Sequence, residues 1–223
     1  LKEEKFLNAS TAQMYELYLT IVDLLVEIHA HAKDILERSQ QKMLATESDK
    51  NPNLKFVNNP VLIKLSENEL LQKELKKAKL NNWRLDSEYV VLLYNALLES
   101  DFYADYMASA SADFKQDRDF VIDFFTEIVA PNDKLYDYLE DYRLTWVDDL
   151  PVVNTTIVKR LGKLKPNSPE STILPKLYKD EEDRQFAKDL LLRTARNDEE
   201  YEAEILGNTP NWDQDRIAAL DKI

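Results

Sequence analysis

Residues 146–164, WVDDLPVVNTTIVKRLGKL, carry the clearest helical signal in the chain. Their apolar side chains recur at alternating steps of four and three residues, and the set is Trp146, Leu150, Val153, Ile157, Leu161 and Leu164. This spacing puts them on one narrow stripe of an α-helix, which predicts a seam that packs on a partner helix. We expect Pro151 in the opening turn, where its missing N–H removes no helical hydrogen bond.

The same periodicity extends through most of the sequence. A first helix is predicted from about Ser10 to about Gln41, and its apolar stripe is Met14, Leu17, Tyr18, Ile21, Leu24, Leu25, Ile28 and Ile35. Further helices follow, separated by polar or proline-containing stretches. Only two glycines occur in 223 residues, whereas β proteins use glycine in hairpin turns. We therefore predict an all-α fold, a multi-helix bundle of about eight to ten helices.

The composition excludes several classes of protein. Without cysteine, the chain has no disulfide, no thiolate zinc site and no cysteine nucleophile. The clustered glycines that phosphate-binding loops need are also absent. No window approaches ~18 consecutive apolar residues, and the first residues, LKEEK, are too polar for a secretory signal. We expect a cytoplasmic protein without a membrane-spanning helix.

The net charge is −13, from 42 acidic and 29 basic side chains. This excess disfavours a nucleic-acid surface, because phosphate contacts need clustered lysine and arginine. The densest basic cluster is Lys159, Arg160, Lys163 and Lys165, at the C-terminal end of the helix predicted above. Two interpretations stay open: a solvated helix end whose cations stabilise the helix dipole, or a contact site for phosphates.

Catalytic and metal-binding patterns are weak. His29 and His31 are the only histidines, and two residues on a helix correspond to roughly 200° of rotation, so they cannot chelate one ion. We interpret both as surface residues. Asp101 and Asp105 lie one turn apart, but nothing marks a pocket around them. We therefore expect no enzyme activity, no metal and no cofactor. A metal-dependent helical hydrolase or oxidase would need a carboxylate–histidine cluster that this spacing does not supply.

Three of the eight prolines lie between residues 165 and 179. This density predicts a linker. We divide the chain into an N-terminal helical region, 1–165, a linker, 166–179, and a C-terminal helical region, 180–223.

The last third of the sequence carries three motifs, LYKDEEDRQFAKDL at 177–190, NDEEY at 197–201 and NWDQDRIA at 211–218. They resemble the NusB family of bacterial transcription antitermination factors. In that family a helix of the form Phe-x-x-(Asp/Glu)-Leu precedes a short helix, and a third helix opens with Trp-x-x-(Asp/Glu)-Arg-(Ile/Leu)-Ala. Upstream, NPNLKFVNN at 51–59 and APNDKLYDYLE at 130–140 are similar to a long form with an enlarged N-terminal half. The resemblance spans nearly the whole chain.

The resemblance implies an all-α accessory factor without catalytic activity. Such a factor pairs with NusE, the small-subunit ribosomal protein. The pair binds the boxA element of nascent RNA in the transcription elongation complex, so that polymerase reads through terminators. By position in the motifs, the partner-binding residues are Phe186, Asp189, Asp215 and Arg216, whereas Trp212 is a core residue.

Two departures from the family pattern bear on RNA binding. The arginine-rich N-terminal arm and first helix have no counterpart before Leu1, and the C-terminal helices have none after Ile223. We expect an internal fragment that lacks much of the RNA affinity of the family, with Lys159, Arg160, Lys163 and Lys165 as its remaining basic cluster. The alternative function is an acidic helical scaffold or adaptor that binds protein partners only, which the net charge of −13 favours.

Overall fold

The structure, a computed structural model, describes residues 2–41, 51–109, 113–176 and 181–208. These ranges are predominantly helical and contain no strand, which confirms the all-α prediction. None of the helices described in them is both long and apolar enough to cross a membrane.

The α-helices are α1 (Lys2–Gln40), α2 (Pro60–Ser66), α3 (Glu69–Ala78), α4 (Asn82–Leu85), α5 (Ser87–Leu98), α6 (Asp101–Ala108), α7 (Phe114–Phe124), α8 (Asp133–Tyr142), α9 (Thr145–Gly162) and α10 (Glu181–Asn208). A π-helical turn, Phe125–Val129, continues α7, and a 3-10 turn, Glu170–Thr172, follows α9.

The chain divides into two compact units. One is Ala12–Pro175, and the other combines Leu1–Thr11 with Lys176–Ile223. Residues 166–175, which we predicted as the first part of a linker, belong to the former unit. There Ile173 is buried, and the Tyr18 hydroxyl donates to its carbonyl. Because Ile173 is an apolar side chain that can be buried, this segment packs in the unit and does not form a linker.

Helix α1 runs through the core of the unit Ala12–Pro175. Its predicted stripe from Leu17 to Ile28 is buried, but residues outside the stripe, such as Leu19 and Val22, are buried too. A helix that is apolar on most sides is surrounded by other elements. The helix also begins at Lys2 and not near Ser10, because Phe6 and Leu7 extend the helical pattern upstream.

Helix α9 confirms the predicted seam, since all six apolar residues of the stripe are buried. The Trp146 indole Nε1 donates to the Gln13 carbonyl of α1 at 3.0 Å. The position predicted for Pro151 is wrong, because α9 begins at Thr145 and the proline lies inside the helix. Proline has no N–H, so the Val147 carbonyl lacks its usual helical donor there. The helix extends upstream of the proline to Thr145, and Trp146 in this first part is buried.

Asparagine side chains begin three of these helices. Asn59, Asn68 and Asn132 are the N-caps of α2, α3 and α8. Their Oδ1 atoms accept from first-turn amides, at 2.9 and 3.2 Å for Asn59, 2.8 Å for Asn68 and 2.9 Å for Asn132. These bonds satisfy amides that have no partner within the helix.

Candidate functional site

Segment 51–59 is tied to the end of α6 by its polar side chains. The Asn53 amide donates to the Met107 carbonyl at 2.8 Å. The Lys55 ammonium donates to the Ser109 carbonyl at 2.9 Å and lies 4.4 Å from the centroid of the Tyr106 ring. Asn53 and Lys55 therefore make hydrogen bonds within the chain, between segment 51–59 and the end of α6.

A buried polar network continues from the same segment. The Asn59 amide donates to the Tyr106 hydroxyl at 3.1 Å and to the Asp117 carbonyl at 3.0 Å. Tyr106 in turn donates to the Asp117 carboxylate at 2.6 Å. Burial, and then this bond to Asp117, raises the pKa of Tyr106 above its ordinary value. Because the three groups satisfy one another, the network holds the fold and leaves no open ligand position.

His29 does not lie on the surface as predicted. Its side chain is 1% exposed, and its Nε2 is 2.8 Å from the Val57 carbonyl. The ring also meets Phe56 edge-on at 6.1 Å. Segment 51–59 covers this side of α1, which the periodicity of α1 alone could not indicate. Burial lowers the pKa of His29, and its Nδ1 has no hydrogen-bond partner among the described residues. His31 is half-buried, edge-on to Tyr94 at 5.3 Å.

The predicted basic cluster lies at the C-terminal end of α9. Lys159, Lys163 and Lys165 are exposed. Arg160 is half-buried, and its Nη1 donates to the Thr172 carbonyl at 3.3 Å. Arg160 thus stabilises the turn after α9, whereas the three lysines present their ammonium groups to solvent.

Two further cations reach the same turn from elsewhere in the chain. The Lys64 ammonium donates to the Pro166 carbonyl at 3.2 Å, and Nη1 of Arg118 donates to the Leu164 carbonyl at 3.4 Å. Arg118 is also paired with Asp119 at 3.1 Å. No local sequence pattern could have linked these two residues to the lysines of α9, because they lie on α2 and α7.

Helix α10 presents the predicted partner-binding residues that the structure describes. Phe186 is 68% exposed and Leu190, one turn later, is 54% exposed. The two share a face of the helix. Asp189 is exposed beside them and accepts a hydrogen bond from Gln185 at 2.8 Å. Asp215 and Arg216 lie outside the described residues.

A row of carboxylates lines one side of α1. Glu16 pairs with Arg143 at 2.7 Å, and Glu27 pairs with Arg84 at 3.6 Å. Asp23, between them, is buried. Burial and the nearby Glu27 raise the pKa of Asp23 to about 7, although Arg84 opposes this. Asp23 is therefore a proton-binding group near neutral pH.

Five aromatic side chains of α4, α5, α8 and α9 pack together in what we call the aromatic cluster: Trp83, Tyr89, Tyr138, Tyr142 and Trp146. Consecutive centroids are 4.6 Å apart for Tyr89 and Tyr138, 5.9 Å for Tyr138 and Tyr142, and 5.0 Å for Tyr142 and Trp146. Trp83 and Trp146 are buried, whereas Tyr142 is 50% exposed.

Polar groups fix the orientation of this cluster. The Asn82 amide donates to the Tyr138 hydroxyl at 2.9 Å, and Tyr138 donates to the Asp86 carboxylate at 2.8 Å. Asp86 makes no cap bond to the helix that follows it, although its position before α5 suggested one. The carboxylate instead holds the Tyr138 ring against the aromatic cluster.

The described ranges offer little that resembles a catalytic centre. Within them, no three histidine, aspartate or glutamate side chains lie close enough together to hold a metal ion. A small cavity of about 20 Å³ between α1, α8 and α9 is lined mainly by apolar groups such as Ile21 and Leu135. That volume holds roughly one water molecule. Asp101 and Asp105 are both exposed on α6.

Comparison with known proteins adds no relative. No protein-family model, curated protein or solved structure matches the chain with significance. The likeness to the NusB family therefore rests only on the motifs quoted from the sequence.

Proposed function

We propose that this chain acts in transcription antitermination as a NusB-type factor, binding boxA-type RNA together with the ribosomal protein NusE. It would work in the cytoplasm, within the transcription elongation complex. Its contribution would be binding and not chemistry. The proposal combines the sequence motifs with two surfaces, the apolar face of α10 and the cations at the end of α9.

The observation that carries the proposal is the exposure of Phe186. By the resemblance this residue belongs to the helix ahead of the partner-facing region, and it is 68% exposed with Leu190 beside it. A large exposed apolar pair next to a carboxylate, Asp189, has the composition of a protein interface, where aromatic residues are enriched.

The RNA surface would be built on Lys159, Lys163 and Lys165. All three are exposed, and among the described residues none of them is in an ion pair. Lys64 and Arg118 add positive charge at the same turn. Cations spaced along a helix end can pair with the phosphates of single-stranded RNA. The RNA bases would be recognised by other contacts.

A titration of boxA-type RNA, with scrambled RNA of the same length as reference, tests this proposal in the presence and absence of NusE. The test variant is K159A/K163A/K165A, and the matched control is K73A/K76A/K77A. Both variants remove three positive charges from exposed positions. The test variant should lower the salt slope of binding by about 2, because each lost phosphate contact on a single strand is worth ~0.7.

The control variant should leave that slope unchanged. Equal slopes for the two variants would mean that only net charge matters, and RNA contact by the α9 lysines would be refuted. Equal affinity of the wild type for boxA-type and scrambled RNA, with NusE present, would refute the antitermination function itself.

Partner binding has its own test. Phe186→Ser should weaken NusE binding by ten-fold or more, the level of an interface hot spot, which exceeds about 1.4 kcal/mol. Leu144→Ser is the matched control, because Leu144, which directly precedes α9, is equally exposed at 70%. Asp215→Lys should also weaken binding through charge reversal. Unchanged affinity in the Phe186 and Asp215 variants would remove NusE as the partner of α10.

A second candidate is an acidic adaptor that binds proteins only. The net charge of −13 favours it, because RNA is repelled by a negatively charged protein. The same titration separates the candidates: an adaptor would bind its protein partner and no RNA of either sequence.

A further inference from the structure

The aromatic cluster reaches the surface between α5 and α8. Tyr142 is 50% exposed, and Tyr89 and Tyr138 are half-buried. The centroids of these three rings follow one another at 4.6 and 5.9 Å. A row of partly exposed rings therefore runs from α5 to α8, and Tyr142 is the most exposed ring of the row.

Carboxylates surround this row. After burial, the charges of Glu88, Asp86, Asp141 and Asp137 each raise the pKa of Tyr89, so all four act on its hydroxyl. Glu88, Asp137 and Asp141 are exposed. Among the described residues none of these three has a cation within ion-pair distance.

The two arginines on the neighbouring helices and turns are already engaged. Arg84 is paired with Glu27 at 3.6 Å, and Arg143 is paired with Glu16 at 2.7 Å. The unneutralised carboxylates near Tyr89 and Tyr142 therefore attract cations from outside the chain.

The chain itself shows how a cation fits here. The Arg143 guanidinium lies 5.1 Å from the centroid of Trp146, on a ring of the same cluster, while its Nη1 bonds the Glu16 carboxylate. A planar guanidinium can stack on an aromatic ring and bond a carboxylate at its edge at the same time. Tyr142 with Asp141, and Tyr89 with Glu88, offer the same two groups at the surface.

We propose that the acidic aromatic surface, formed by Glu88, Tyr89, Asp137, Asp141 and Tyr142, binds an arginine-rich extended segment of a partner protein. Arginine side chains lie on the exposed tyrosine rings and pair with the flanking carboxylates. RNA does not fit, because its phosphates would face these carboxylates. The surface is built from α5 and α8, so it is independent of the NusE and RNA contacts proposed above.

Fluorescence anisotropy with a labelled peptide of alternating arginine and glycine tests this inference. D137N/D141N should weaken binding between about two-fold and thirty-fold, the effect of losing two exposed ion pairs. The matched control E99Q/D105N also removes two negative charges from exposed, unpaired positions, and it should bind like the wild type. All variants should keep the wild-type urea midpoint, because the changed side chains are exposed.

A second pair of variants tests the rings. Tyr142→Leu should weaken binding about two- to five-fold, the effect of losing one exposed cation–π contact. Tyr136→Leu is the control, because Tyr136 is an exposed tyrosine of the same helix without a ring contact in the cluster. A lysine–glycine peptide should bind more weakly than the arginine peptide.

Two results would overturn the inference. Equal weakening by D137N/D141N and E99Q/D105N would show that the peptide follows only the overall charge of −13. Peptide-induced shifts of backbone amide signals that spare residues 84–89 and 137–143 would place the binding elsewhere. Neither result bears on RNA or NusE binding.

Discussion

Asn59, Asn68 and Asn132 form a graded series in which one side-chain type caps three helices and carries different additional bonds. Asn132 makes only its cap bond and is half-buried. Asn68 is buried, and besides its cap bond it donates to the Glu170 carbonyl at 2.9 Å. Asn59 is fully buried, caps two amides and donates twice. Replacing each by alanine removes the cap bond in all three variants, and in addition one donated bond at Asn68 and two at Asn59.

The expected losses of unfolding free energy follow from those bonds. Asn132→Ala should cost ~1 kcal/mol, the usual value of an N-cap. Asn68→Ala should cost about 2 kcal/mol, because the partly buried Glu170 carbonyl also loses its donor. Asn59→Ala should cost about 3 to 4 kcal/mol, since it leaves two first-turn amides of α2 unsatisfied and removes a donor from the Tyr106 hydroxyl.

Urea unfolding followed by circular dichroism measures the three losses, with the slope of unfolding free energy against urea concentration as the check on a common transition. Asn59→Ser restores a cap acceptor without the two donated bonds, so it should recover about 1 kcal/mol of the alanine loss. Losses for the three alanine variants that agree within about 0.5 kcal/mol would refute the reasoning, because the buried bonds would then add nothing to the cap.

Three shorter predictions concern single residues. Burial lowers the pKa of His29 from 6.5, so only the unfolded chain binds its proton just below that pH. The free energy of unfolding should therefore fall as pH drops below 6.5. His29→Gln should make the urea midpoint less dependent on pH in this range. If the variant and the wild type show the same pH profile, His29 is not the source of the pH dependence. Asp23 has the opposite sign: its pKa rises from 3.8 to about 7, so its stabilisation is complete below 3.8 and is lost as pH rises through 7. Asp23→Asn should raise the Tm relative to wild type above pH 7, by a difference that shrinks as the pH falls from 7 towards 3.8, whereas a shift that is the same at every pH would contradict a titration effect. Gly162→Ala should add about 0.5 to 1 kcal/mol to the unfolding free energy, because the new methyl group meets nothing within 4 Å in α9. A lower unfolding free energy in the same urea titration would contradict the presence of open space around this position.

Much of the fold could be predicted because helical periodicity is a local property. The seam of α9 and the stripe of α1 follow from spacing alone. The seam is buried, and so is the stripe from Leu17 to Ile28, whereas Ile35 is 41% exposed. The position of Pro151 was misjudged because a nearby tertiary contact, the bond from Trp146 to Gln13, decides where α9 begins.

The candidate surfaces were less predictable, because they depend on which distant segments meet. The lysines of α9 are adjacent in sequence and could be found, whereas Lys64 and Arg118 reach the same turn from other helices. His29 was misplaced for the same reason: the carbonyl that binds it belongs to Val57, 28 residues away. Phe186 is exposed on α10, and no periodicity alone could indicate which apolar face of a helix is exposed and which is buried.

The central position of α1 has a consequence for synthesis on the ribosome. Its apolar residues leave the exit tunnel early, but the hydroxyl of Tyr18 finds its partner, the Ile173 carbonyl, only 155 residues later. At ~5 to 20 residues per second, this interval is about 8 to 30 s. During that time α1 must be shielded by transient contacts or by a chaperone, so nascent chains stalled before Ile173 should be the species most prone to aggregate.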